Sequence, residues 1–398
     1  MFEEKYIELL LERCLRLEKG TPLFINYNKV IKAFVSKIVK HAKKLGITDI
    51  YLDERDLNAE HELLLNLNVN DIPNENIFNC KVWDEYAKKD AAFLLLDSDI
   101  PNLMDDVDSE KIAKASFSRQ TTKPLYKEKQ LKSLIPWCIA AVPNEFWAKD
   151  IFPKSKNPVE TFWEVLGDIC MLNSDNPISS WNKQLKEQAR NIEKLNNLNI
   201  KKLHLKNSLG TDLEIELLKD SLWQSASTGE WIVNIPSYEI FTSPNYKKTN
   251  GIVYSSKPLV YSGKIIDKFY LKFKNGKVEE FGAKEGQEIL KEIINTDELS
   301  SYLGEVAIVN YDSPISNTKM IFKSTLFDEN ASCHLALGSG FLECLKDVDK
   351  YDEEELETIG MNSSKNHVDF MIGTKDLIIE ADTKEGTIVI MKDGNLVI

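Results

Sequence analysis

Cysteine is sparse and unpatterned in this chain of 398 residues: Cys14, Cys80, Cys138, Cys170, Cys333 and Cys344 include no CxxC pair. In a chain of this size they predict reduced, mostly buried thiols and no disulfide framework. Long apolar runs are also missing. The longest, Ala91 to Leu96, is far too short to span a bilayer. The amino terminus, Met1-Phe2-Glu3-Glu4-Lys5, leads straight into a charged amphipathic helix and lacks the basic start and apolar stretch of a signal peptide. The expected location is therefore cytoplasmic. No GxGxxG motif follows a first strand, no P-loop is present and no Gly-x-Ser-x-Gly elbow occurs, so no nucleotide fingerprint is carried. Gly338-Ser339-Gly340 is too short to count as one. Basic residues are outnumbered, 50 against 63 acidic, for a net charge of −13. That balance disfavours a nucleic-acid backbone or an anionic membrane as partner. Repeats and low-complexity tracts are absent.

What remains is a soluble globular composition, 42% hydrophobic and 28% charged, long enough for two domains. Ile7, Leu10, Leu11, Cys14 and Leu17 mark one face of an opening helix that Gly20 would end. A strand over Pro22 to Tyr27 and a helix over Val30 to Leu45 follow. Short apolar strands are expected at Ile47 to Leu52, Ala91 to Leu96 and Cys138 to Val142, with a helix over Cys80 to Lys89 among them. Helices around Val159 to Leu172 and Ile178 to Leu195 close the half. This is the βαβ pattern of a mostly parallel sheet. After about residue 200 the pattern changes. Runs around Leu203 to Leu205 and Leu213 to Leu217 flank Leu209-Gly210-Thr211-Asp212, a hairpin signal, and Asn275-Gly276 and Asp393-Gly394 are two more turns. Helices are expected near Gly286 to Ile294 and Leu335 to Leu345. The fold class is thus α/β: an N-terminal α/β domain over 1–200 with a mostly parallel sheet, then a β-rich α+β domain over 201–398.

Histidine is scarce, with five in all. His41 lies beside the apolar stripe of Val30, Phe34 and Ile38, His61 in a charged helical stretch and His204 in a strand, positions that suit surface or satisfied core histidines. His334 and His367 sit instead in polar, turn-like sequence beside acids. The run Val368 to Ile372 reads as strand, and residues two apart on a strand project side by side. His367 and Asp369 would therefore present an imidazole and a carboxylate together, an arrangement that suits a metal ion. Glu305 opens the apolar run Glu305 to Val309, where an unpaired charge is costly. Glu239 lies in a loop bracketed by Pro236 and Pro244, and a solvated surface acid is a plausible reading there. Glu329 falls between Phe327 and His334, five residues before the histidine. On a continuous helix that spacing is about 140°. The two are thus expected to play separate roles, or to sit on a loop leading into a helix starting near Leu335.

Four runs in this order, Asn234 to Pro244, Leu303 to Val309, Thr325 to Gly338 and Gly360 to Gly373, resemble the metal-dependent aminopeptidases of the aminopeptidase T, aminopeptidase S and PepS family. Weaker similarity at Pro143 to Ala148 extends into the first half. The resemblance implies that Glu239, Glu305, His334, His367 and Asp369 ligate two divalent ions, with Glu329 as general base. It also implies a peptide substrate with a free amino terminus and a homodimer. Three carboxylates against two dications leave +1, which a bridging hydroxide would neutralise, and Asp369 is the expected bridging residue. Zinc, cobalt and manganese all accept such mixed sites. One departure stands out, because Phe341 occupies a position where the family has tyrosine. Losing one stabilising hydroxyl typically costs about a hundred- to a thousandfold in turnover. Two other readings follow: a metal-binding protein of the same fold with weak or no peptidase activity, and a hydrolase of another amide.

Overall fold

The structure is a computed structural model and describes residues 2–72, 81–227, 230–261 and 264–398. Cys80, where one helix was expected to begin, lies outside the described residues. Two compact units emerge. The first comprises Met1–Asn182 with Ser227–Pro236, the second Lys183–Ala226 with Ser237–Ile398.

In the first unit β1 (Leu23–Asn28), β2 (Ile50–Arg55), β3 (Ala92–Asp97) and β4 (Trp137–Ala141) form a parallel sheet in the order β2-β1-β3-β4, and Asn234–Ile235 adds a short strand beside β4. β1 and β3 are central and nearly continuously buried, as strands covered on both faces must be. The helix Lys32–Lys44 buries Phe34, Val35, Ile38 and Ala42, a stripe of helical period, and Gly46 follows it at φ +84°. The opening helix, Phe2–Glu8, continues as a π-helical turn over Leu9–Cys14 and stops there, short of Gly20, with Arg16 already left-handed.

Among the described residues the second unit carries an eight-stranded, a four-stranded and a two-stranded sheet, with antiparallel pairing throughout. The expected hairpin is present as Lys202–Lys206 paired with Asp212–Leu217. The four-stranded sheet runs His367–Met371, His334–Gly338, Leu303–Ile308, Ile240–Thr242. One apolar cluster joins the sheets: Leu205, Ile215 and Leu271 of the larger meet Val306, Leu335, Leu337, Val368 and Phe370 of the smaller. Strand alternation then sends His334, Ala336, His367 and Asp369 to the other face of the smaller sheet.

The helix expected over Leu335 to Leu345 is not formed. Its first part is the His334–Gly338 strand and the only helical piece left there is a short 3-10 turn over Leu342–Cys344. A short apolar run such as Leu335-Ala336-Leu337 carries no period of its own. Here hydrogen bonding to strands on both sides and burial of all five residues decide for strand. Among the described residues no helix is long and apolar enough to cross a membrane. Cys14, Cys138, Cys170, Cys333 and Cys344 are all free and buried, as expected of reduced thiols.

Candidate metal centre

The face of the small sheet opposite the apolar cluster gathers acids and imidazoles from three adjacent strands. Asp369 pairs in register with Ala336, which in turn pairs with Glu305. Ala336 thus separates the two carboxylates by only a methyl group. Glu305 reaches this face because the pairing slips between Leu303 and Glu305, at Gly304. Without the slip Leu303 and Glu305 would share a face. With it, Leu303 enters the apolar core and Glu305 turns away. Gly304 is required at this bulge, since a Cβ there would meet Gly338 O and Ser339 O at 2.2 Å.

Glu239 arrives from the segment preceding Ile240–Thr242. Its backbone is held by Gln188, whose Nε2 donates to Ser237 O (3.1 Å) and Glu239 O (3.3 Å), and by Tyr238 N donating to Asn330 Oδ1 (2.7 Å). Glu329 lies in a 3-10 turn, Glu329–Ala331, after the helix Thr325–Asp328. Asp328 fixes that turn by accepting from Phe322 N (2.9 Å) and Ser324 N (3.3 Å).

Glu239, Glu305 and His334 form one cluster with ligand atoms within 4.8 Å of one another, and Glu305, His367 and Asp369 form a second. His334 Nε2 is 3.3 Å from Glu239 Oε2 and 3.9 Å from Glu305 Oε1, while His367 Nε2 is 3.3 Å from Glu305 Oε2 and 3.2 Å from Asp369 Oδ1. The carboxylate shared by the two clusters is Glu305, one oxygen toward each imidazole, whereas Asp369 belongs to one cluster alone.

The tautomers bear on whether this set suits a cation. His334 Nδ1 lies 3.0 Å from Ser332 O and His367 Nδ1 2.8 Å from Ser339 O. A carbonyl can only accept, so each Nδ1 carries the proton and donates it. In the neutral ring Nε2 then presents a lone pair. Both lone pairs face buried carboxylate oxygens, a repulsive arrangement unless protons or a cation intervene. Asp369 Oδ1 is moreover buried without a hydrogen bond of acceptable geometry. The donor set, two imidazoles oriented by backbone carbonyls plus carboxylates, fits divalent transition-metal ions.

Electrostatics in the metal-free protein carry the same strain. Burial raises the Glu305 carboxyl to about 7. Burial, then the neighbouring Glu239 and Asp369 carboxylates, hold Glu329 well above its ordinary value. For His334 burial works downward but is outweighed by Glu239, Glu305 and Asp369, which raise it to about 10. His367 is raised by Asp369 and Glu305 against the same opposition. Four acids crowd two imidazoles, and protons stand where cations would otherwise neutralise them.

His41, His61 and His204 take no part. Each pairs with an exposed acid elsewhere: Glu12 at 2.9 Å, Asp106 at 2.7 Å and Asp212 at 2.5 Å. Phe341, expected at the family's tyrosine position, lies beside the site with its ring centroid 4.9 Å from that of His367 and 5.0 Å from Phe241. Sequence reasoning missed Asp297. Its carboxylate accepts from Ser364 Oγ (2.9 Å to each oxygen), Lys365 N (2.8 Å), Ser300 N (2.9 Å) and Leu299 N (3.0 Å), tying down the segment that leads into His367. From sequence it looks like any acid capping a local turn.

An α/β unit followed by an antiparallel unit whose small sheet sets one buried and one half-buried imidazole among carboxylates defines a metalloprotein class. Residues 3–396 match the family described as thermophilic metalloprotease (M29). The chain is 35% identical over 393 residues to Aminopeptidase AmpS of Bacillus subtilis, covering 96% of this chain and 94% of that protein. It is 29% identical over 410 residues to Aminopeptidase T of Thermus aquaticus, covering 99% and 98%. The structure of wild-type AmpT from Thermus thermophilus superposes with a TM-score of 0.90 at 27% identity, covering 100% of this chain and 99% of that one. The chain belongs to the thermophilic metalloprotease (M29) family.

Proposed function

We propose that this metallo-aminopeptidase removes amino-terminal residues from peptides at a two-metal site, with Glu239, Glu305, His334, His367 and Asp369 as ligands and Glu329 as general base. The observation that carries the reading is the position of Glu305, whose two oxygens face different imidazoles in two overlapping clusters. A carboxylate common to both clusters would let five side chains serve two ions, and Glu305 would then fill the bridging role expected of Asp369. When bound, the ions supply Lewis-acid polarisation and lower the pKa of water at the site.

The residues of the chain do the rest. Ser332 O and Ser339 O hold each imidazole in the Nδ1–H tautomer, so both Nε2 atoms stay available for coordination. Glu329 takes the proton of the attacking water and passes it to the departing amine as the peptide bond breaks. The acid-rich face attracts the peptide's free ammonium group. Zinc, cobalt or manganese fits the donor set, and a homodimer working in the cytoplasm is the accompanying expectation.

The experiment is hydrolysis of a panel of aminoacyl-anilides and short peptides, with and without chelator, alongside metal analysis of protein purified without chelator. Chelator-sensitive release confined to substrates with a free amino group supports the reading. Phe341 favours a second reading, a metal-binding protein with weak activity, and metal content without release from any substrate would select it.

A further inference from the structure

Asn330 follows Glu329 in the same 3-10 turn and is fully buried. Burying a side-chain amide is costly unless its polar atoms find partners. Here the partners come from separate segments of the second unit. Oδ1 accepts from Tyr238 N (2.7 Å), a residue 92 positions away. Nδ2 donates to Leu326 O (3.2 Å) and to Glu329 Oε1 (3.4 Å). The backbone carbonyl of Asn330 accepts from Ser313 Oγ (3.4 Å), which pins the turn from a third segment. The amide has one possible orientation, because the Tyr238 N–H can only donate and Leu326 O can only accept.

Two of these bonds bear on the candidate metal centre. Tyr238 directly precedes Glu239, so the Oδ1 bond fixes the backbone from which that carboxylate projects. Gln188 holds two carbonyls of the same stretch, and Asn330 supplies the acceptor for its N–H. The Nδ2 bond to Oε1 is, among the described residues, the one hydrogen bond that the Glu329 carboxylate receives. One planar amide thus ties Glu329 to the segment carrying Glu239. Asparagine is the side chain this junction needs, since aspartate keeps the acceptor without the N–H donors and leucine keeps neither. The bonds to Tyr238 N and Leu326 O tie backbone to backbone. The third alone reaches a side chain of the site.

We propose that Asn330 is a positioning residue of the peptidase reaction, holding the Glu329 carboxylate in a fixed relation to the backbone that carries Glu239. The proposal rests on the reading of Glu329 as general base and Glu239 as metal ligand. Asn330 touches neither substrate nor metal and acts through those two residues. With Oε1 held by Nδ2, Oε2 is the oxygen left to take the proton of the attacking water. Such placement matters because a misplacement of about 1 Å in a reacting group costs on the order of a hundredfold in rate.

The test combines two readouts on the full-length protein: calorimetric titration of zinc into chelator-treated, dialysed samples, and hydrolysis of an aminoacyl-anilide by zinc-loaded ones. Asn330→Asp keeps the shape and the acceptor for Tyr238 N but loses the Nδ2 donor. Its zinc affinity should at least equal the parent's, while kcat falls about tenfold or more and KM stays within about threefold. Asn330→Leu loses both links, so zinc affinity and kcat should each fall about 10- to 100-fold. In the Glu329→Gln background Asn330→Asp should lower kcat by less than about twofold, because the group it acts through is already gone. An amide that serves the fold alone would lower the melting temperature and cost the same factor in both backgrounds. The proposal is overturned if zinc-loaded Asn330→Asp turns over within about threefold of the parent, or if its loss repeats in the Glu329→Gln background. It is overturned equally if folded Asn330→Leu binds zinc as the parent does. Should the leucine variant fail to fold, the aspartate variant decides. Parent-like turnover by Glu329→Gln would sink the base assignment alone, and the zinc affinity of Asn330→Leu would then decide the tie to Glu239.

Discussion

Glu329→Gln separates the chemical role of this side chain from its electrostatic cost. The substitution keeps shape and an acceptor oxygen but removes the titrating carboxyl. General acid–base catalysis contributes about 10² to 10⁴ in rate, so turnover of an aminoacyl-anilide should fall by that factor while bound metal stays constant. Stability should move the other way. In the metal-free protein Glu329 is raised well above the ordinary 4.5 by burial and by Glu239 and Asp369. For an acid whose folded value exceeds its unfolded one, the penalty is absent below the unfolded value and grows as pH rises through the folded one. The metal-free variant should therefore match the parent at pH 4 and exceed it at pH 8. The gain is on the order of 1–4 kcal/mol, the range for replacing buried ionic groups by neutral ones. With metal restored the gain should shrink, because bound cations offset the repulsion. The assays are initial rates with metal analysis, and thermal melts at pH 4 to 8 with and without chelator. A metal-loaded variant that hydrolyses substrate within about threefold of the parent would refute the base assignment. A lower melting point at pH 8 without metal would refute the electrostatic argument.

Asp297→Ala should destabilise the protein by about 1–3 kcal/mol in denaturant titration, since several part-buried donors lose their acceptor. It should also weaken metal binding about 10- to 100-fold through the loosened His367 segment. Phe341→Tyr should raise turnover about tenfold or more without changing metal content, and an unchanged rate would remove this position from the account of activity. Ala336→Val inserts bulk between Glu305 and Asp369. Metal content after dialysis should drop while the fold, read by circular dichroism, persists. Metal binding should release at least one proton per ion and tighten as pH rises from 6 to 8, because His334, raised to about 10 by its carboxylate neighbours against burial, must shed its proton first. Calorimetry in two buffers of different ionisation enthalpy measures that release.

Local pattern made much of the architecture legible. Turn residues and strand alternation marked the hairpin at 202–217, and helical period marked Lys32–Lys44, because both signals are written within a dozen residues. The pairing of His367 with Asp369 followed from the two-residue repeat of a strand. From sequence Leu335 to Leu345 reads as a helix, whereas its first part is strand, because a buried central strand has no polar face to reveal its period. By itself the sequence determined which side chains are chemically able to bind metal, and the resemblance of its four ordered runs pointed to a family. Tertiary structure alone decided how those side chains meet. The bulge at Gly304 turns Glu305 onto the face opposite the apolar cluster, and cross-strand register sets it opposite Ala336 and near both imidazoles. Those contacts join residues tens of positions apart, and only the pairing of strands fixes them.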